Sequence, residues 1–291
     1  MDYLEAEIRD GELIDEKKKK LFKTAIDILE EIKRICQKYG LRYFADSGTL
    51  IGAVRHKGFI PWDDDIDLRM PREDFERFKV IAPKELPSHY FLQTPITDPD
   101  WDYDIIKIRN SNTTQLEKWR IDERQHLNMG VWVSIFPLDG RPNNPHAAER
   151  VLFITRFVRL MFRRARMRST PCLIRLALRL LLTVVGKKRL LKYKLNCYRQ
   201  FPLEGSERCT GMHSLASYVG FNVPTSAYAE SIEVPFEYTT ISIPKGYDEV
   251  LTAMFGNWRK PVKDAACHET AEFDTETPYK EYVLKHYGYC P

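Results

Sequence analysis

In the run Pro61-Trp62-Asp63-Asp64-Asp65-Ile66-Asp67-Leu68-Arg69-Met70-Pro71, apolar and charged residues alternate from Ile66 onward. That is the period of a strand with one face in a core. Four carboxylates fall within five residues at its start. On a strand Asp65 and Asp67 share a side, about 7 Å apart, and like charges so close repel unless a cation or a basic side chain compensates them. Hard divalent cations take oxygen ligands, and Mg²⁺ commonly combines one or two carboxylates with substrate phosphate oxygens. The run is therefore expected to hold a metal, with Asp65 and Asp67 as ligands and Asp63 beside them, for phosphoryl or nucleotidyl transfer. A calcium loop does not fit, because Leu68 stands where that loop requires glycine and Asp74 where it requires glutamate.

Upstream, Leu41 to Ala45 reads as a short buried strand, and Ser47-Gly48-Thr49-Leu50-Ile51-Gly52 as a small-residue turn into a helix. Free backbone N–H groups at such a junction can approach a phosphate, and Arg55 and His56 follow one or two turns later with positive charge. Residues 14–39 carry Leu21, Phe22, Ala25, Ile26, Leu29, Ile32 and Cys36 at helical spacing, with Gly40 as a stop. Lys17 to Lys20 are expected on its solvated face. Downstream, Pro71 begins a helix to about Ile81, Tyr103 to Arg109 forms a third strand, and 110–128 is a loop with a broken helix. Val131 to Phe136 forms a fourth strand that Pro137 ends; Thr239 to Ile243 is a later strand, and Tyr247 to Phe255 a helix. This order predicts an α/β (α+β) fold, a mixed sheet core with flanking helices, and not an alternating βαβ array.

The charge is unevenly spread. The chain of 291 residues has a net +4, yet the stretch from Arg150 to Arg199 holds fifteen Lys+Arg and no acid, which leaves −11 for the rest. Residues 147–200 are expected to be a basic insertion of two helices separated near Ser169-Thr170-Pro171. Arg156, Arg159 and Arg163 share one helical face, as do Arg175 and Arg179, while Leu173, Leu176, Leu180, Leu181 and Val184 form an apolar one. A basic amphipathic helix of this kind fits an anionic membrane surface. No base-reading motif accompanies the charge, so nucleic acid is not expected as a partner. The start, Met1-Asp2-Tyr3-Leu4-Glu5, has no secretory character, and Cys36, Cys172, Cys197, Cys209, Cys267 and Cys290 have no regular spacing. A cytoplasmic chain with reduced thiols, peripheral at the inner membrane face where it meets lipid, is the expectation.

Residues 41–78 resemble the signature block of the LicD family, which includes phosphocholine transferases of bacterial surface glycans and relatives of the fukutin group that transfer ribitol phosphate. The resemblance continues through Lys107-Ile108-Arg109, Ile135-Phe136-Pro137-Leu138-Asp139-Gly140, Val234-Pro235-Phe236-Glu237 and Pro244 to Asp248, and ends near Phe255 to Trp258 and His268. Family blocks on both sides of the basic stretch imply one catalytic domain over 1–291, with 41–140 as the metal and nucleotide core and 230–270 as a C-terminal motif region. The resemblance implies a nucleotidyltransferase fold, Mg²⁺ or Mn²⁺, a CDP-activated alcohol as donor, and a glycan or lipid-linked glycan acceptor. It places Ser47, Gly48 and Thr49 at the phosphate turn, Asp65 and Asp67 on the metal, and Arg55, His56, Lys107 and Arg109 around the phosphates. One position departs from the family. The usual Ile-Asp-Ile before Phe-Pro-Leu-Asp reads Val133-Ser134-Ile135, so the third acid is Ser134, and Asp64, Asp139 or Asp104 is expected to stand in. Trp62 and Trp132 either stack on a ligand or pack in the core, and Glu237 either orients a ligand or pairs with a buried arginine.

Overall fold

The computed structural model describes residues 3–98, 100–262 and 270–291; His268 and Cys267 lie outside the described residues. A hairpin of β1 (Glu7–Arg9) and β2 (Glu12–Ile14) leads into α1 (Glu16–Tyr39). Asp15 caps α1 by accepting from the Lys18 N–H at 2.8 Å, and Gly40 ends it at φ 61°, where the missing Cβ removes the left-handed penalty. Next come β3 (Phe44–Ala45), α2 (Ser47–His56), β4 (Ile66–Pro71) and α3 (Arg72–Glu85). They are followed by β5 (Tyr90–Gln93), β6 (Ile106–Asn110), β7 (Thr114–Glu117), α4 (Lys118–Asp122) and β8 (Val131–Gly140). The basic region is α5 (Pro145–Arg166), α6 (Cys172–Val185) and α7 (Lys187–Tyr198). The chain closes with β9 (Arg208–Thr210), α8 (Leu215–Gly220), β10 (Val223–Pro224), β11 (Ser231–Phe236), β12 (Thr239–Pro244), α9 (Tyr247–Phe255), β13 (Thr270–Asp274) and α10 (Tyr279–Tyr287).

The main sheet has the order β10-β9-β8-β4-β3, with β6 paired to β8 and β5 to β6. Strands β4 and β8 run parallel, and the other pairs are antiparallel. Alternation decides the two faces. Ile66, Leu68, Met70, Ile106, Ile108, Val133 and Ile135 are fully buried in one core with Leu21, Phe22, Ala25 and Leu29 of α1 and Phe78 of α3. The residues between them, Asp67, Arg69, Lys107, Arg109, Trp132 and Ser134, alternate onto the opposite face. The mixed α/β class expected from the sequence is the one observed.

Several boundaries differ from expectation. The third strand starts only at Ile106, and Tyr90–Gln93 is an additional strand beside it. Strand β8 runs through Pro137 to Gly140. Its pairing with β6 stops at Ile135 and that with β9 begins at Asp139, so at Pro137 only β4 is a neighbour and the missing N–H costs little. The basic region holds three helices, because Gly186 at φ 86° breaks the second predicted one. Helix α3 extends to Glu85. Lys19 is buried, 2.9 Å from Glu7 and over the Tyr3 ring, so the run Lys17 to Lys20 is not one solvated face.

Candidate active site

The polar face of the sheet gathers the residues singled out in the sequence. Asp67 on β4 is the register partner of Ser134 on β8, and Ser134 is in turn the partner of Lys107 on β6. One position earlier in the alternation, Trp132 lies opposite Arg109, and its indole Nε1 donates to Asp65 Oδ2 at 3.3 Å. Asp67, Ser134 and Lys107, far apart in sequence, therefore form one row across three strands, with Trp132 and Arg109 paired beside it and Asp65 reached through the indole. Trp132 is buried, and its role as a carboxylate donor and cation platform joins the packing role.

The tightest carboxylate group is Asp63, Asp64 and Asp65, whose ligand oxygens all lie within 4.8 Å of one another. Asp65 immediately precedes β4 and belongs to this group, while Asp67, the other acid expected on the metal, is the second residue of β4. The donor set is entirely oxygen, which suits a hard divalent cation. Gly48 fixes how closely α2 meets this group. A Cβ on Gly48 would lie 2.5 Å from Asp63 Oδ2, so any larger residue would displace that carboxylate from the first turn of α2. Thr49 Oγ1 accepts the Asp67 N–H at 2.8 Å, and the Asp46 N–H donates to the Asp67 carbonyl at 2.9 Å. Behind them Arg69 and Asp46 form a buried ion pair at 2.5 Å. The turn Ser47-Gly48-Thr49 is thus stitched to the acidic strand from one side.

On the other side stands a cationic and aromatic cluster. The Lys107 ammonium lies 3.7 Å from the Trp132 ring centroid and 5.3 Å from that of Trp101. Burial holds Lys107 well below the usual lysine range, with Glu117 and Asp65 opposing. Arg109 Nε donates to Gln93 at 2.7 Å and Nη1 to the Gly130 carbonyl at 2.8 Å, so its guanidinium is largely committed within the protein. Arg120 donates to Glu117 at 2.5 Å. Glu117 serves all three cations: burial raises its carboxyl, but Lys107, Arg120 and Arg109 together hold it well below the usual range. Neither Glu117 nor Arg120 carried a motif signal, because only the β7–α4 turn brings them to β6.

Not every predicted residue reaches this place. Arg55 and His56 sit at the C-terminal end of α2, so Arg55 is about 12 Å along the helix from Ser47. Arg55 donates to His56 Nε2 at 2.8 Å and to the Trp258 carbonyl at 2.9 Å, while His56 Nδ1 lies 3.0 Å from Asp10. Burial and the adjacent Arg55 hold the His56 imidazole below the usual histidine range. Of the three acids considered as stand-ins at Ser134, Asp139 is clamped by Arg72 at 2.7 and 2.9 Å, and Asp104 by Lys194 at 2.6 Å. Asp64 alone is in the acidic cluster. Glu237 pairs with Arg9 at 2.6 Å and accepts the Phe59 N–H at 2.9 Å, a structural arrangement. One residue was expected on a solvated face instead. Lys18 on α1 lies within the field of Asp64 and Asp63, while burial, the stronger influence, holds it below the usual lysine range.

Residues 40–143 match the profile of the LicD/FKTN/FKRP nucleotidyltransferase domain. The chain is 27% identical over 258 residues to the lipopolysaccharide cholinephosphotransferase LicD of Haemophilus influenzae, a match covering 86% of this chain and 94% of that protein. It is 26% identical over 106 residues to the ribitol 5-phosphate transferase FKRP of Mus musculus and of Homo sapiens, covering 36% of this chain and 19% of each relative.

Proposed function

Because residues 40–143 are a LicD/FKTN/FKRP nucleotidyltransferase domain, we propose that this protein is a metal-dependent phosphotransferase. It moves an alcohol phosphate, phosphocholine or a polyol phosphate, from a CDP-activated donor to a hydroxyl of a glycan or lipid-linked glycan precursor. The observation that carries this reading is the row Asp67–Ser134–Lys107 across β4, β8 and β6, beside the Asp63–Asp64–Asp65 cluster. It sets oxygen ligands and a buried cation side by side, the two things a diphosphate needs.

Asp63, Asp64 and Asp65 would hold Mg²⁺ or Mn²⁺, which when bound offsets charge on the donor diphosphate. The Trp132 indole orients Asp65, and Thr49 holds the Asp67 backbone. The first turn of α2 presents N–H groups and the positive end of its dipole toward the same region. Lys107, buried against two indoles, supplies a poorly hydrated positive charge to a phosphate oxygen. Asp67 accepts the proton of the acceptor hydroxyl as that oxygen attacks phosphorus; the phosphorus–CMP bond breaks and CMP leaves with the electron pair. The test is CMP release from CDP-choline, CDP-ribitol and CDP-glycerol with Mg²⁺ or Mn²⁺ and a glycan acceptor. No release with any donor would overturn the reading.

A second reading rests on Ser134. A neutral hydroxyl stands where the family resemblance places a third acid, and this favours a catalytically degenerate member that binds nucleotide or glycan without turnover. Release by the Ser134→Asp variant alone would select it.

A further inference from the structure

Helix α6 (Cys172–Val185) has no buried residue, although most of its side chains are apolar. Leu173 is 82% and Val184 80% exposed, and Leu176, Leu180 and Leu181 are exposed with them. At 100° per residue, Leu173, Leu176, Leu180 and Val184 form one outward stripe. Arg175, Leu178, Leu182 and Val185 form the half-buried side toward the protein. A second stripe, Phe153, Phe157 and Leu160, is exposed on α5, where the two phenyl rings stack at 6.0 Å. Fourteen residues span about 21 Å, too short to cross a bilayer, and no helix among the described residues is long and apolar enough to do so.

The surroundings of these stripes are mainly cationic, with Glu149 one turn before Phe153 and Glu123 accepting the Arg168 N–H at 3.0 Å as the acids beside them. Exposed Arg168 precedes α6, and exposed Lys188 and Arg189 follow it; Arg156, Arg163 and Arg164 flank the α5 stripe. The internal acids are used by other cations of the region: Asp104 by Lys194, Asp102 by Arg159, and Asp100 by Arg166. No carboxylate pairs with the side chain of Arg156, Arg164, Arg168, Lys188 or Arg189 among the described residues. An apolar strip rimmed mainly by cations, on a stretch with no acid from Arg150 to Arg199, complements one surface in particular, a layer of anionic headgroups above hydrocarbon. A second copy of this chain is disfavoured, because it would bring the same positive rim against itself.

We propose that the α5–α6 hairpin docks on an anionic lipid bilayer, with α6 lying in the membrane plane and its Leu173–Leu176–Leu180–Val184 stripe in the acyl boundary. Arg168, Lys188 and Arg189 then meet headgroup phosphates at the two ends of the helix. This inference does not depend on the transfer reaction. The test is flotation of the full chain with phosphatidylcholine vesicles and with vesicles containing 30% phosphatidylglycerol. The expected result is binding to the second only, weakened by salt. A Leu173→Ser/Leu180→Ser/Val184→Ser variant should lose flotation, and Arg168→Ala, Lys188→Ala and Arg189→Ala should each weaken it about fivefold. All these positions are exposed, so unchanged Tm and circular dichroism establish that the variants fold. Absence of wild-type binding, or variants that float like wild type, would overturn the proposal. A concentration-dependent dimer that the serine variant abolishes, without vesicle binding, would overturn it in favour of a second copy. Transfer between water-soluble donor and acceptor should be unchanged in the serine variant; loss of transfer in every form would count against the reaction and leave the flotation result standing.

Discussion

Ser134 on β8 lies directly across from Asp67 on β4 in a parallel pair, and across from Lys107 on β6 in an antiparallel one. A hydroxyl thus occupies the position between an acid and a buried cation. A carboxylate there would face both a metal-binding neighbourhood and the Lys107 charge, so the missing acid has an electrostatically prepared place. The wild-type chain is expected to release CMP, and Ser134→Asp to lower the metal concentration for half-maximal activity by about tenfold, or about 1.4 kcal/mol. A metal titration of initial rates checks this, and an unchanged midpoint counts against it.

Asp65 is tied to β8 through Trp132 Nε1. Asp65→Asn should reduce kcat/KM at least about a hundredfold, since loss of a metal ligand removes several kcal/mol of charge stabilisation. Gly48→Ala should have a similar effect through geometry alone, because its methyl would meet Asp63 Oδ2 at 2.5 Å. Mn²⁺ binding followed by electron paramagnetic resonance separates these from global unfolding: both variants should keep their circular dichroism and bind the metal more weakly.

Lys107 is proposed to touch a donor phosphate, so Lys107→Met should raise KM for the CDP-alcohol by about tenfold to a hundredfold, the loss of one charge-assisted hydrogen bond. Burial holds its ammonium below the usual lysine range, so the free protein loses this cation at a lower pH than an exposed lysine would. kcat/KM should therefore decline on the alkaline side of neutrality. Lys107→Arg, which stays protonated, should flatten that limb.

Glu117 is the carboxylate shared by Lys107, Arg109 and Arg120. Glu117→Gln leaves three buried cations without it and should destabilise the fold by about 3–5 kcal/mol in urea unfolding. The native carboxyl titrates below the usual glutamate range, so its contribution is fully present above that range and is lost as the pH falls through the lower native value. Stability measured from pH 5 downward should fall more steeply in wild type than in Glu117→Gln.

Arg55 packs at the far end of α2, against His56 and the Trp258 carbonyl. Arg55→Ala is expected to lower Tm while changing kcat/KM less than about threefold; a hundredfold loss of activity would place it in the site after all.

Much of this was legible before folding. The alternation from Ile66 to Met70, repeated at Lys107 to Arg109 and Trp132 to Ser134, already separates an apolar face from a polar one, because strand periodicity is a local property. Gly40 ended α1 by local backbone chemistry, and the apolar spacing marked its buried face. The small-residue turn before α2 was visible for the same reason. Boundaries that depend on neighbours were not. Pro137 continues β8 because of where β6 stops, and nothing near Pro137 in the chain records that.

The sequence by itself therefore determined the strand alternation, the acidic run, the oddity at Ser134 and the isolated positive charge of 150–199. Tertiary structure alone decided that the Asp63, Asp64 and Asp65 oxygens converge, that Asp139 and Asp104 are spent on Arg72 and Lys194, and that Glu117 and Arg120 join Lys107. It also decided that Arg55 points away from the acids and that the apolar stripe of α6 faces outward. The physical reason is range. Backbone geometry and side-chain periodicity act over a few residues, whereas ion pairing and burial are settled by strand register and helix packing, which join residues scores of positions apart.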